Sequence, residues 1–182
     1  FDEAFDFLIK NKIILSNKNK KIRLNLDEEA FIGKIYFSPK GFAFVKPFKS
    51  SKENFFVPKD QTLNSMHEDK VIAIKTKDKN KGMNKRAEAK ILFVIHRSIS
   101  ELVGTYMSSE NFGFVIPDDN RYNLDIYIPK EFENGAKSYD KVIVAIDKYP
   151  ERKRKPEGRV KEILGLKWDK GIDALSVIKA NE

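Results

Sequence analysis

The 182 residues are 41% hydrophobic, 12% aromatic and 34% charged, enough apolar material for one large or two small packed domains and too much for a disordered tail. The longest apolar stretch, Ile91 to Ile95, falls far short of the roughly 20 residues that span a bilayer, and Asp2, Glu3 and Asp6 spoil a signal-peptide start. Zero cysteines exclude disulfides, thiolate metal sites and Cys-based catalysis and fit the reducing cytoplasm, while 35 Lys and Arg against 27 Asp and Glu leave a net charge of +8.

Phe1, Ala4, Phe5, Leu8 and Ile9 share one helical face, which predicts a short amphipathic helix over residues 1–10. Ile13 to Leu15 and the alternating Ile22, Leu24 and Leu26, separated by a polar turn, predict a β-hairpin. Helix plus hairpin cannot bury a core alone. With Phe1 at the front, the chain is expected to be a cut or processed piece of something longer.

From Phe31 onward helical periodicity stops. Short runs rich in Ile, Val, Phe and Tyr predict strands at Gly33–Phe37, Phe42–Val45, Asn54–Val57, Lys70–Lys75 and Ala87–Ile95, the inventory of a small barrel. The inventory then repeats at Val103–Tyr106, Phe112–Ile116, Leu124–Ile128, Lys141–Asp147 and Gly158–Leu164. Gly33 and Gly104, Pro58 and Pro129, Asp69 and Asp140, and Ala87 and Gly158 all lie 71 residues apart, which marks an internal duplication. Phe42 and Phe112 lie 70 apart, so one copy carries a single-residue indel in its first turn. Asp173 to Lys179 predicts one or two helical turns after Gly171, in a tail that serves as a linker.

In each copy a Phe-x-Phe pair, Phe42 and Phe44 or Phe112 and Phe114, puts two rings on one face of a strand, and Phe56 or Tyr127 adds a ring on the next strand. Rings facing inward would be ordinary core, but they would turn Ala43 and Gly113 to water for no evident reason. Rings facing outward leave Ala43, Gly113, Val45 and Val115 to fill a tight barrel interior. Exposed rings beside lysines such as Lys40 form a surface on which successive bases stack, each worth roughly 1 to 3 kcal/mol. Only seven of the 35 cations are Arg, and lysine neutralises phosphate without the bidentate geometry that reads guanine, so binding is expected to be largely sequence-independent.

Lys40-Gly41-Phe42-Ala43-Phe44-Val45 followed by Phe55-Phe56-Val57-Pro58 resembles the paired ribonucleoprotein motifs of the cold-shock domain, a five-stranded oligonucleotide-binding (OB) barrel. The cold-shock pattern commonly has Gly where Ala43 stands and His where Pro58 stands. Two such barrels, the second holding Phe112 to Asp119 and ending with Pro156 to Gly165, resemble the N-terminal RNA-binding region of the ribonuclease R branch of the ribonuclease II family of 3′-to-5′ exoribonucleases. The resemblance covers residues 31–182. Residues 1–26 more weakly resemble the last helix and wing of a winged-helix domain.

That family hydrolyses RNA with Mg²⁺ held by a short-spaced aspartate cluster. No such cluster stands here; Asp118-Asp119 fits a polar turn, so no catalytic residue and no metal ligand is expected in this stretch. His67 and His96 lack partners at useful spacing and are expected at the surface or between strands. Trp168 suits packing at a domain edge or stacking on a base. Lys75, Lys77, Lys79, Lys81, Lys85 and Arg86 crowd the connection before the last strand of the first copy, and Arg152, Lys153, Arg154 and Lys155 the matching connection of the second. Their recurrence suggests a basic rim on each barrel. Lys18, Lys20, Lys21 and Arg23 could add a third patch.

The expectation is therefore an all-β chain of two tandem five-stranded OB-fold barrels: a helix-hairpin remnant over 1–28, a first cold-shock domain over 29–97, a second over 98–167, and a linker with a short helix over 168–182. The resemblance implies a monomeric fragment that grips single-stranded RNA for a nuclease domain elsewhere, with Mg²⁺ used only there and with the ribosome or degradation machinery as further partners. A stand-alone RNA chaperone and a ribosome- or protein-docking module are the rival functions.

Overall fold

The computed structural model describes residues 14–16, 22–24, 30–49, 53–77, 87–122, 124–151 and 154–180. The expected helix over 1–10 lies outside the described residues. The hairpin is present: β1 (Ile14–Ser16) pairs antiparallel with β2 (Ile22–Leu24).

Two closed five-stranded barrels follow. The first is built from β3 (Ala30–Phe37), β4 (Ala43–Pro47), β5 (Phe55–Val57), β6 (Lys70–Lys77) and β7 (Glu88–His96), in the order β3-β4-β5-β7-β6. The second uses β8 (Glu101–Ser108), β9 (Phe112–Pro117), β10 (Ile126–Pro129), β11 (Asp140–Lys148) and β12 (Glu157–Leu166) in the equivalent order. Each barrel is antiparallel except for one parallel contact, Phe56 to Glu88 in the first and Tyr127 to Glu157 in the second.

Closure of so small a barrel needs bends, and the long strand pair of each copy supplies them. Register shifts fall at Lys70/Val71, Ile72/Ala73 and Lys75/Lys77 in β6, and at Lys141/Val142, Ile143/Val144 and Ile146/Lys148 in β11, the same three places in each copy. The duplicated glycine of the first strand has a shared cause. A Cβ on Gly33 would stand 2.5 Å from the Lys46 carbonyl oxygen, and one on Gly104 2.5 Å from that of Ile116.

Ile35, Ala43, Val45, Val57, Val71 and Ala89 fill the first barrel; Tyr106, Val115, Ile126, Ile128, Val142 and Val144 fill the second. All are fully inaccessible to solvent, and they alternate along their strands with the outward residues. The tail forms helix α1 (Ile172–Lys179), which does more than link: it lies on β12 and β11, with Ile172 and Ser176 buried.

Candidate nucleic-acid interface

The outward face of the first barrel begins at the β3–β4 turn. Gly41 adopts φ +86°, a conformation that a side chain would strain, and the turn closes through the Ser38 amide bonding to the Phe42 carbonyl at 2.8 Å. Lys40 is exposed at its tip. Strand alternation then sends Ala43 and Val45 inward and leaves Phe42 and Phe44 half-exposed outside. Phe56 pairs across from Phe44, and its neighbours Phe55 and Val57 are buried. The three outer rings form one cluster, with centroids 5.5 Å (Phe42–Phe56), 5.7 Å (Phe42–Phe44) and 5.8 Å (Phe44–Phe56) apart.

Two cations outside the Phe-x-Phe motif share this face. Lys46 continues the Phe42, Phe44 alternation, and Lys34 is its cross-strand partner. Their signal in the sequence was the same period-2 pattern, extended by one residue pair. Lys75, on β6, lies 5.4 Å from the Phe55 ring centroid.

The second barrel repeats the arrangement with fewer rings in contact. Phe112 and Tyr127, each 37% exposed, stand 5.4 Å apart at 36°, and Phe114 lies directly across from Tyr127. Ile116, 45% exposed, takes the place that Lys46 holds in the first barrel. Of the expected basic rims, Lys85, Arg86, Arg152 and Lys153 lie outside the described residues, as do Lys79 and Lys81. Arg154 is exposed where the β11–β12 connection returns to the barrel, and Lys155 pairs with Asp125 at 2.9 Å. A groove of about 290 Å³ brings Arg154 and Lys155 against the first barrel's β3–β4 turn, between Gly41, Lys59 and the exposed Leu63 and Leu124.

The junction between the barrels corrects the expectation for His67. It is neither on the surface nor between strands but 3% exposed, with its ring set edge-on to Tyr36 of the first barrel and Tyr122 of the second. The Phe37 amide donates to its Nδ1 at 3.0 Å, so the neutral ring carries its proton on Nε2, which has no partner among the described residues. Burial, reinforced by Arg121, holds its pKa below the ordinary histidine value. His96 is exposed.

Beside His67, Arg97 donates to the fully buried Asp69 at 2.8 Å and to the Asn64 carbonyl at 2.7 Å, and its guanidinium lies 4.6 Å from the Tyr149 ring of the second barrel. Asp118 and Asp119 form a polar turn, as expected, with both carboxylates occupied: Asp118 by Lys141 at 2.5 Å and Asp119 by Arg121. Hydrogen bonds from Arg121 hold the Asp119 carboxyl below the usual carboxylate range. A cleft of about 690 Å³ opens here, but its acids Glu68, Glu101, Asp118, Asp119 and Asp173 outnumber Arg121 and Lys141, a poor lining for phosphate. Trp168 is not packed into an edge. It is 69% exposed.

Residues 33–91, within the first barrel, match the ribonuclease B OB domain, and residues 114–182, from β9 of the second barrel through α1, match the cold shock domain. Ribonuclease R of Thermotoga maritima is 34% identical over 154 residues, covering 84% of this chain and 21% of its own length. The chain matches the OB and cold shock region of ribonuclease R. Ribonuclease R of Escherichia coli is 30% identical over 142 residues, covering 78% of this chain and 17% of its own length. The chain thus spans about a fifth of the ribonuclease R proteins that it matches. Among solved structures, Mycoplasma genitalium RNase R in complex with ribose-methylated single-stranded RNA has the same fold, with a TM-score of 0.72 at 18% identity over 83% of this chain and 24% of that one.

Proposed function

We propose that this chain grips single-stranded RNA, largely without regard to base sequence, and that in a longer protein it feeds the strand to a 3′-to-5′ hydrolytic domain. The observation that carries the reading is the outward set of rings on both barrels, Phe42, Phe44 and Phe56 and then Phe112, Phe114 and Tyr127, each beside strands whose alternate residues are fully buried. Aromatic faces accept any base, and Lys34, Lys40, Lys46, Lys75 and Arg154 neutralise the phosphates between them. The basic connections, including Lys85, Arg86, Arg152 and Lys153, would extend that neutralisation. A solved RNase R that shares this fold was determined in complex with ribose-methylated single-stranded RNA.

In this reading residues 29–97 and 98–167 are two binding modules, 1–28 the remnant of a preceding winged-helix domain and 168–182 the passage towards the nuclease, in a cytoplasmic enzyme. Hydrolysis in ribonuclease R-type enzymes calls for Mg²⁺. Among the described residues no three His, Asp or Glu side chains converge to hold a metal. These residues do not fit that ion, and no step of cleavage is assigned to them.

The test is anisotropy titration of the chain with a labelled oligo(U) of about 15 nucleotides at several salt concentrations, beside a duplex of equal length. Binding to the single strand should be the tighter and should weaken linearly in log K against log salt. Phe42→Ala combined with Phe114→Ala should weaken it at least about tenfold. Unchanged affinity would assign the rings to a protein partner, such as a ribosomal surface, and overturn the reading.

A further inference from the structure

We propose that Tyr139 and Trp168 form a third stacking site, which takes one base of the single strand on the open face of Trp168 and its phosphates on Lys137, Lys167 and Lys170. The inference rests on the RNA-binding reading and extends it to a surface outside both Phe-x-Phe faces.

The geometry of this pair matches that of the outer rings already described. Tyr139 and Trp168 stand 5.1 Å apart at 39°, against 5.4 Å and 36° for Phe112 and Tyr127. The new pair is the more open of the two, at 44% and 69% exposure against 37% and 37%. A side chain as large as tryptophan left this bare needs a reason, because burying it would gain far more than burying any smaller residue.

The pair is also held in place rather than trailing from the tail. The Lys167 amide bonds to the Tyr139 carbonyl at 2.9 Å, and the Asp169 carboxylate accepts from the Leu166 amide at 2.9 Å, fixing the turn that carries Trp168. Tyr139 sits at φ +75°, a strained setting for an aromatic residue. The same turn of the first barrel holds Glu68 at φ +66°, so the backbone demands the conformation in both copies and only the second spends it on a ring.

Charge favours a nucleic-acid occupant. Lys137, two residues before Tyr139, and Lys167 and Lys170, within two residues of Trp168, are exposed and form no ion pair among the described residues; the one acid in that turn, Asp169, accepts from the Leu166 amide. In the first barrel the position equivalent to Trp168 is Arg97, tied to Asp69 beneath Tyr149. The duplication therefore gives the junction an arginine and the open end a tryptophan.

Trp168 is the one tryptophan in the sequence, so its emission reports this site directly. The chain is titrated with the labelled oligo(U), following anisotropy and tryptophan emission together. The expected result is quenching that saturates with the anisotropy change. Inorganic polyphosphate, which carries charge without bases, should leave emission unchanged. Trp168→Ala should weaken binding by about five- to tenfold and Trp168→Phe should restore most of it. Binding seen by anisotropy with emission unchanged, equal quenching by polyphosphate, or full affinity in Trp168→Ala would each overturn the third site and leave the RNA reading standing. No anisotropy change at all would overturn the RNA reading, and the third site with it.

Discussion

The two barrels have one topology and one set of bulges, yet they solve the packing of their shared framework differently. In the first, Ile35 of β3 and Ala43 of β4 both point into the core, two residues out of register with each other. In the second, the equivalent residues are Tyr106 and Gly113, and a Cβ on Gly113 would fall within the Tyr106 ring. The larger side chain and the missing one compensate, as a close-packed interior requires. The tyrosine brings a hydroxyl with it, and that hydroxyl donates to Glu133, 8% exposed, where the first barrel has Thr62 bonded to the Lys59 carbonyl. Burial works against charge on Glu133, but Tyr106 and Lys130 outweigh it and hold its pKa below the ordinary range. The exterior differs as well. The first barrel shows three clustered rings with Lys34 and Lys46; the second shows a ring pair with Phe114 and Ile116. The first outer face is the more electrostatic one and the second the more apolar, so salt should weaken the grip of the first barrel more.

The largest break in the equivalence should come at position 97 against position 168. Arg97→Ala strips a fully buried carboxylate of its cation and removes the contact with Tyr149, and should cost about 3 kcal/mol in denaturant unfolding. Trp168→Ala, at the equivalent but open position, should change stability by less than about 0.5 kcal/mol. Comparable losses for the two variants would mean that Arg97 does not hold the junction.

A second variant sharpens the interior comparison. Gly113→Ala should destabilise the chain by about 2 kcal/mol through overpacking, and the same change should be nearly neutral once Tyr106→Ile and Glu133→Thr have given the second barrel the side chains of the first. Equal costs in both backgrounds, measured by denaturant titration, would show that Tyr106 is not what excludes the methyl group.

The smallest effect concerns the junction's histidine. Its folded-state pKa lies below the unfolded value near 6.5, so the unfolded chain takes up a proton first. The stability contributed by neutral His67 is complete above about pH 6.5 and is lost as pH falls through the folded value. The groups facing the ring are Arg121, Glu68, Asp119 and Lys34, with Tyr36 and Tyr122 on its edges. Melting temperatures between pH 7.5 and 5.5 should fall less in His67→Gln than in the parent. Identical pH profiles would show that His67 does not titrate within the junction.

Much of this was legible from the order of the residues. Strand alternation around Ala43 and Gly113 settles which way the rings face, because a side chain too small to cover an exterior is what a narrow interior needs. The 71-residue offset predicts two copies of one topology, and the bulges and glycines recur at that spacing because a barrel of this size closes in one way. The composition ruled out thiolate chemistry, and the Asp118-Asp119 pair reads correctly as a turn because β9 ends at Pro117 and the Asp119 carboxylate accepts from the Arg121 amide two residues on.

Other features depended on how the copies meet. His67, Arg97, Tyr122 and Tyr149 carry no periodic signal; they are brought together from chain positions far apart, and only packing of one barrel on the other makes them neighbours. Trp168 is open for the complementary reason, since nothing among the described residues covers the second barrel's equivalent end. Local pattern and repeat determined the barrels and their outer rings, which rest on alternation within single strands. The junction, and the choice of which aromatic stays in water, were decided by long-range burial that no local period encodes.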